Sequence, residues 1–143
     1  MNKNDNDIGR PRKFDKPEDL QRAIDVYFEK CDNNTKQIVT KDGVVLDVLD
    51  PIPYTIEGLC MVLEIDRASL LHYEKYPEYK EFFNTVKKAK SKVQLNKLER
   101  GLSGRSNPAV TIFDLKNNHG YVDRQETTQT NINISIDPDD AEV

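Results

Sequence analysis

The chain has 143 residues, enough for one domain and short for two. It carries 21 Lys and Arg against 25 Asp and Glu, a net charge of -4, with 36% apolar residues and no Trp. No run approaches the roughly 18 apolar residues of a membrane span, so no membrane partner is expected, and Cys31 and Cys60 are too few for a disulfide scaffold and read as free thiols.

Charge is unevenly distributed along the chain. Residues 31–65 hold two basic and six acidic groups, residues 66–124 twelve basic and seven acidic, and residues 125–143 five acidic and no basic ones. The acidic balance therefore conceals a basic middle segment, which is compatible with a nucleic-acid partner. Residues 1–16 read as a flexible basic arm, because Gly9-Arg10-Pro11-Arg12-Lys13 does not nucleate a helix. The start of the arm is polar and lacks the apolar stretch of a signal peptide, which predicts a cytoplasmic location.

Pro17 opens the first predicted helix. Glu18 and Asp19 sit in its first turn, and Leu20, Ala23, Ile24, Tyr27 and Phe28 share one stripe. A β-hairpin follows near residues 37–49, with Asp42-Gly43 as a two-residue turn. Thr55 then caps a short helix bearing Ile56, Leu59, Cys60 and Leu63 on one face. Asp66 caps a second short helix, Arg67 to Lys75, with Leu70, Leu71 or Tyr73 directed inward and Pro77 ending it. Two short helices this close together form a helix-turn-helix pattern over residues 17–77, in which Arg67, Ser69 and His72 point outward toward phosphates or base edges.

The longest predicted helix runs from about Glu78 to Gly101. Tyr79, Phe82, Val86, Ala89 and Val93 step alternately by three and four, and Leu95, Leu98 and Leu102 continue with a slip of phase. Phe83 adds a second column, so Phe82, Phe83, Val86, Val93 and Leu98 are candidate subunit contacts, while Lys87 and Lys88 are candidate phosphate contacts. Asn107 caps a last helix opened by Pro108 and closed by Gly120, with Val110, Ile112, Phe113 and Leu115 as its apolar side. Asn118 and His119 read as helix-end structure. Together, residues 78–124 form a helical oligomerisation region.

In the tail, residues 125–143, Ile132, Ile134 and Ile136 alternate with polar residues in strand periodicity. A lone strand needs an edge to pair with, and identical strands from neighbouring subunits would supply one by closing an intersubunit barrel. The expected fold class is therefore mainly α, with a helix-turn-helix region, long antiparallel oligomerisation helices, a small hairpin and a C-terminal barrel strand. The residues themselves offer no catalytic constellation. His72 and His119 lack partners at metal-ligand spacing, and no glycine loop suits a phosphate cofactor, so no enzyme activity, metal or cofactor is expected.

Several segments, taken in order, resemble a known family. They are Gly9-Arg10-Pro11-Arg12-Lys13-Phe14 before the first helix, Tyr54-Thr55-Ile56-Glu57-Gly58-Leu59, and Leu70-Leu71-His72-Tyr73-Glu74-Lys75. Phe82 to Ala89 and Ile112 to Gln125 (IFDLKNNHGYVDRQ) complete the set. This arrangement, over roughly residues 9–126, resembles the small terminase subunits of tailed bacteriophages and prophages. The resemblance implies a non-enzymatic protein of the host bacterial cytoplasm that binds double-stranded viral DNA at the packaging site. It also implies a homo-oligomeric ring of about eight to ten subunits that recruits and regulates the large terminase subunit, an ATPase and nuclease. Arg10, Arg12 and Lys13 of the arm are candidate contacts to an A·T-rich minor groove. A helix-turn-helix transcriptional regulator is the alternative; it would share Arg67, Ser69 and His72 but act as a dimer. A purely structural oligomer is the third reading.

Overall fold

A computed structural model describes residues 12–125, 127–130 and 132. Five α-helices, one 3₁₀ segment and one hairpin follow in the order α1 (Pro17–Asp32), β1 (Thr35–Val39), β2 (Val45–Leu49), α2 (Ile56–Leu63), α3 (Arg67–Lys75), 3₁₀ (Pro77–Phe82), α4 (Phe83–Leu102) and α5 (Pro108–His119).

The helix starts behave as their capping residues dictate. Pro17 occupies the first turn of α1, the Thr55 hydroxyl accepts from the Gly58 amide at 2.9 Å, and the Asp66 carboxylate accepts from the Ser69 amide at 2.7 Å. Proline has no amide hydrogen to leave unpaired, and the two side-chain caps satisfy amides that the helix itself leaves unpaired. Asn107 accepts from both Ala109 and Val110 at the start of α5, and Gly120 ends that helix at φ 73°, a left-handed conformation that costs glycine nothing.

One core joins α1, α2, α3, the 3₁₀ segment and α4. Leu20, Ile24, Tyr27, Phe28 and Cys31 come from α1, while Ile56, Leu59, Cys60 and Leu63 come from α2. Leu70 and Tyr73 of α3 meet Phe82, Val86, Ala89 and Val93, and Leu71 is left exposed. An aromatic chain runs through the same core: the Phe28 and Tyr54 rings are 4.6 Å apart, and Tyr73 lies 4.6 Å from Tyr79 and 4.9 Å from Phe82.

The single long helix expected from residue 78 is divided. Pro77 starts a 3₁₀ turn, Tyr79 leaves helical geometry at φ -111° and ψ 18°, and regular α-helix begins only at Phe83. The departure lets Tyr79 lie against Tyr73 while Phe82 enters the core.

The hairpin is present but turns differently from expectation. Thr40 donates its amide to Val44 O and accepts the Gly43 amide, so the loop is Lys41-Asp42-Gly43, with Gly43 at φ 78°. Asp42-Gly43 is thus part of a three-residue turn in which glycine supplies the left-handed position. The pairing runs from Thr35 with Leu49 to Val39 with Val45, and nearly every residue of both strands is exposed.

The expected C-terminal barrel is overturned. The only sheet among the described residues is this two-stranded antiparallel hairpin, which is open and not curled. The described tail residues, 127–130 and 132, form no strand, and Ile132 is 77% exposed; Ile134 and Ile136 lie outside the described residues. Alternation alone was a weak guide here. Three isoleucine side chains only roughly offset the entropy of ordering nine residues, so periodicity by itself does not decide that a strand forms. The architecture is mostly α-helical with one small sheet.

Candidate nucleic-acid interface

The turn joining α2 to α3 is made by Glu64, the only non-glycine residue with positive φ (55°) among those described. This geometry lets the Ile65 amide reach back to Cys60 O at 3.1 Å and releases the chain into the Asp66 cap. Helix α3 then buries Leu70 and Tyr73, and its opposite side carries Arg67, Leu71, His72 and Lys75 in solvent, with Ser69 half-buried between. The His72 ring lies 4.3 Å from that of Tyr76.

Arg67 is held from two sides. One guanidinium nitrogen is 3.2 Å from Glu57 of α2 and the other 2.9 Å from Asn118 Oδ1 of α5. Asn118 in turn donates to Asp114 Oδ1 at 2.5 Å, and Asp114 pairs with Lys97 at 2.8 Å. Lys97 Nζ also lies 2.9 Å from His119 Nε2. With the lysine as donor, that nitrogen is the acceptor and His119 is the neutral tautomer carrying hydrogen on Nδ1. Burial pushes the Asp114 carboxyl up, but the hydrogen bonds from Lys97 and Asn118 outweigh it, and the carboxyl lies below its ordinary value. Burial, followed by the Lys97 charge, holds His119 below its ordinary value as well. These residues form one polar chain from α2 through α3 and α5 to α4.

The basic residues before α1 are placed against this body from Arg12 onward. Arg12 lies 4.5 Å over the Tyr79 ring, pairs with Glu81 at 3.4 Å and donates to Glu78 O. Lys13 pairs with Glu64 at 2.6 Å, and that hydrogen bond holds the Glu64 carboxyl below its ordinary value. Phe14 donates its amide to the Tyr73 hydroxyl at 3.1 Å. Arg10 lies outside the described residues. Lys87 and Lys88 are exposed on α4, with Lys87 Nζ 5.9 Å from the Phe83 ring.

Of the residues assigned to subunit contact, Phe82, Val86 and Val93 are wholly enclosed in the core of this chain, and Phe83 and Leu98 are half-buried. The position four residues after Val93 in that column is Lys97, 6% exposed, where an apolar residue would be expected. The apolar surface in water lies elsewhere: Leu102 is 81% exposed, and Val110 and Phe113 of α5 are uncovered, only Leu115 of that helix being buried.

Sequence reasoning placed Lys97 on the solvent surface of its helix, where the structure buries it, and did not single out Asp114, Arg100 or Arg105 as site residues. Asp114 and Asn118 stand four apart in the Ile112–Gln125 segment, a helical spacing that was the available signal for their contact. No group of three or more metal-binding side chains occurs among the described residues. Cys31 and Cys60 are both free and buried, and burial pushes the Cys60 thiol up. Among the described residues, no helix is long and apolar enough to cross a membrane.

No curated protein matches the chain significantly. A family model described as DNA-packaging protein gp3 matches residues 9–127, which takes in every helix, the hairpin and the polar chain around Arg67. The chain belongs to the family of the DNA-packaging protein gp3.

Proposed function

We propose that this phage DNA-packaging protein is a small terminase subunit: it binds double-stranded viral DNA at the packaging site, forms a ring and recruits the large ATPase-nuclease subunit in the host cytoplasm. The observation that carries the reading is the position of α3 within the matched region. Its buried side is locked to α2 and α4, while Arg67, Ser69 and His72 lie on a helix whose other side is free for a groove. Arg67 pairs with Glu57 at an exposed site, where an ion pair contributes little and exchanges readily for a phosphate. Ring formation is supported by the uncovered Leu102, Val110 and Phe113, a surface that a neighbouring subunit would bury.

The test combines DNA titration at several salt concentrations with mass measurement by light scattering, on wild type and on Arg67→Ala/His72→Ala. A ring of about eight to ten subunits is expected, with DNA binding whose salt slope falls by about one unit for each phosphate the variant no longer neutralises. A DNA-binding dimer would instead indicate a transcriptional regulator. A ring that leaves duplex DNA unbound would indicate a structural oligomer. Stimulation of the large subunit's ATPase by the ring checks recruitment.

A further inference from the structure

The turn between α4 and α5 borders a half-open cavity of about 340 Å³ whose lining includes Lys97, Arg100, Arg105, Ser106, Thr111 and Asp114, together with residues 53–55. Three of these side chains are cationic and one is acidic. Asp114 is already committed to Lys97 and Asn118. Neither Arg100 nor Arg105 has a side-chain partner among the described residues, and Arg100 Nε is shielded from water without a hydrogen bond. With the one carboxylate already taken, two guanidinium groups without an acidic partner leave an excess of positive charge at this cavity, which an anion would offset.

The start of α5 does not supply that binding itself. Pro108 has no amide hydrogen, Asn107 Oδ1 takes the amides of Ala109 and Val110, and Asn107 O takes that of Thr111. The donors left over are the two guanidinium forks, which match the geometry of a phosphate.

We propose that this cavity holds a backbone phosphate of the bound DNA, as a second contact beside α3; the proposal rests on the DNA-binding reading above. Distance along α5 favours a duplex over an isolated anion. Arg67 is bonded to Asn118 at one end of α5, and the cavity runs along that helix from Asn107 to Asp114. At about 1.5 Å per residue the near and far ends of the cavity lie roughly 6 Å and 16 Å of helix from Asn118, a range that includes the roughly 12 Å width of a major groove. The net charge of +5 over residues 66–124, twelve basic against seven acidic groups, suits the same partner.

The experiment uses the full-length chain as wild type, Arg105→Gln, Arg105→Lys, Arg100→Gln/Arg105→Gln and Arg67→Ala. Arg105 is exposed, so its replacement leaves packing undisturbed, and circular dichroism checks each variant. Duplex DNA is titrated over a range of salt, and melting temperature is followed with inorganic phosphate. The expected result is a salt slope shallower by about one unit per engaged subunit in Arg105→Gln, a further decrease in the double variant, and recovery in Arg105→Lys. If Arg67→Ala weakens DNA binding while Arg105→Gln and the double variant leave affinity and slope unchanged, the phosphate site is overturned and DNA binding stands. Should phosphate raise the wild-type melting temperature without any change of DNA slope in the variants, the cavity is a free-anion site and the DNA assignment falls. Loss of large-subunit binding with DNA affinity intact would assign it to an acidic protein partner, again overturning the proposal. A wild-type chain that binds no DNA removes both readings.

Discussion

Lys97 occupies a position in the apolar column of α4 where a leucine would pack, and its charge survives there because Asp114 and His119 meet it. Taking an ammonium out of water is costly unless it is paired and hydrogen-bonded, and here it has both an ion pair and an imidazole acceptor. The arrangement depends on a neutral His119, which gives it a pH dependence of definite sign. The unfolded chain takes up a proton on this histidine near its ordinary value of 6.5, whereas the folded chain resists until a lower pH. Between those points the unfolded state binds more protons, so stability falls as pH falls below 6.5. Asp114, held below its ordinary 3.8, contributes a stabilisation present above that value and lost as pH falls beneath it. Melting temperature should therefore drop between about pH 7.5 and 5.5 in wild type, and drop less in His119→Gln. A wild-type melting temperature that is flat across this range would rule the mechanism out.

Among the elements, α2 shows how a local rule is reversed by its neighbours. Glycine inside a helix is normally a weakness, and replacing it by alanine stabilises by roughly 0.5–1 kcal/mol. At Gly58 a Cβ would stand 2.7 Å from the Tyr27 hydroxyl and 2.9 Å from Thr55 Oγ1. Neither neighbour yields easily. The Tyr27 hydroxyl accepts the Thr55 amide at 2.8 Å and donates to Thr55 O at 3.1 Å, while Thr55 Oγ1 caps the helix through the Gly58 amide. Gly58→Ala should consequently destabilise the chain by about 1–3 kcal/mol, read from urea unfolding; a stabilised variant would show that the clash relaxes freely. The same element illustrates what was legible in the residue order. Thr55, Ile56, Leu59, Cys60 and Leu63 could be placed from spacing and capping chemistry alone, but the reason for Gly58 lies on α1, some thirty residues earlier, and has no local signal.

At the scale of the whole molecule, packing decides which apolar residues are left for a neighbour. Spacing makes Val93 a candidate subunit contact and Phe113 part of the apolar side of its helix, yet Val93 is enclosed by the core of its own chain and Phe113 is 69% exposed. Helix α5 rests on α4 through Leu115, and Gly101 brings the two helices close, a Cβ there standing 3.0 Å from Thr111 Cγ2. Val110 and Phe113 turn away from that contact. Val110→Asp/Phe113→Asp should give a folded chain of reduced mass by light scattering, since neither position is packed in the protomer. Val93→Asp, by contrast, should unfold the chain by placing a carboxylate in a filled core, at a cost of several kcal/mol. A full-sized assembly formed by the α5 variant would move the subunit contact elsewhere.

Residue order alone determined the starts of α1, α2, α3 and α5, the core-facing stripes of α1 and α2, the hairpin and the basic character of residues 66–124. These follow from interactions within a few residues, namely capping, periodicity and turn chemistry, which are local in sequence. Tertiary structure alone decided the rest. It broke the long helix at Tyr79 so that an aromatic contact could form, and it consumed Phe82, Val86 and Val93 in the protomer core while leaving α5 uncovered. It also placed Arg67 in a polar chain with Asn118, Asp114 and Lys97, and left Arg100 Nε without a partner. Those outcomes depend on which elements meet in space, and the energy of burying or pairing a side chain is set by the neighbours the fold brings to it.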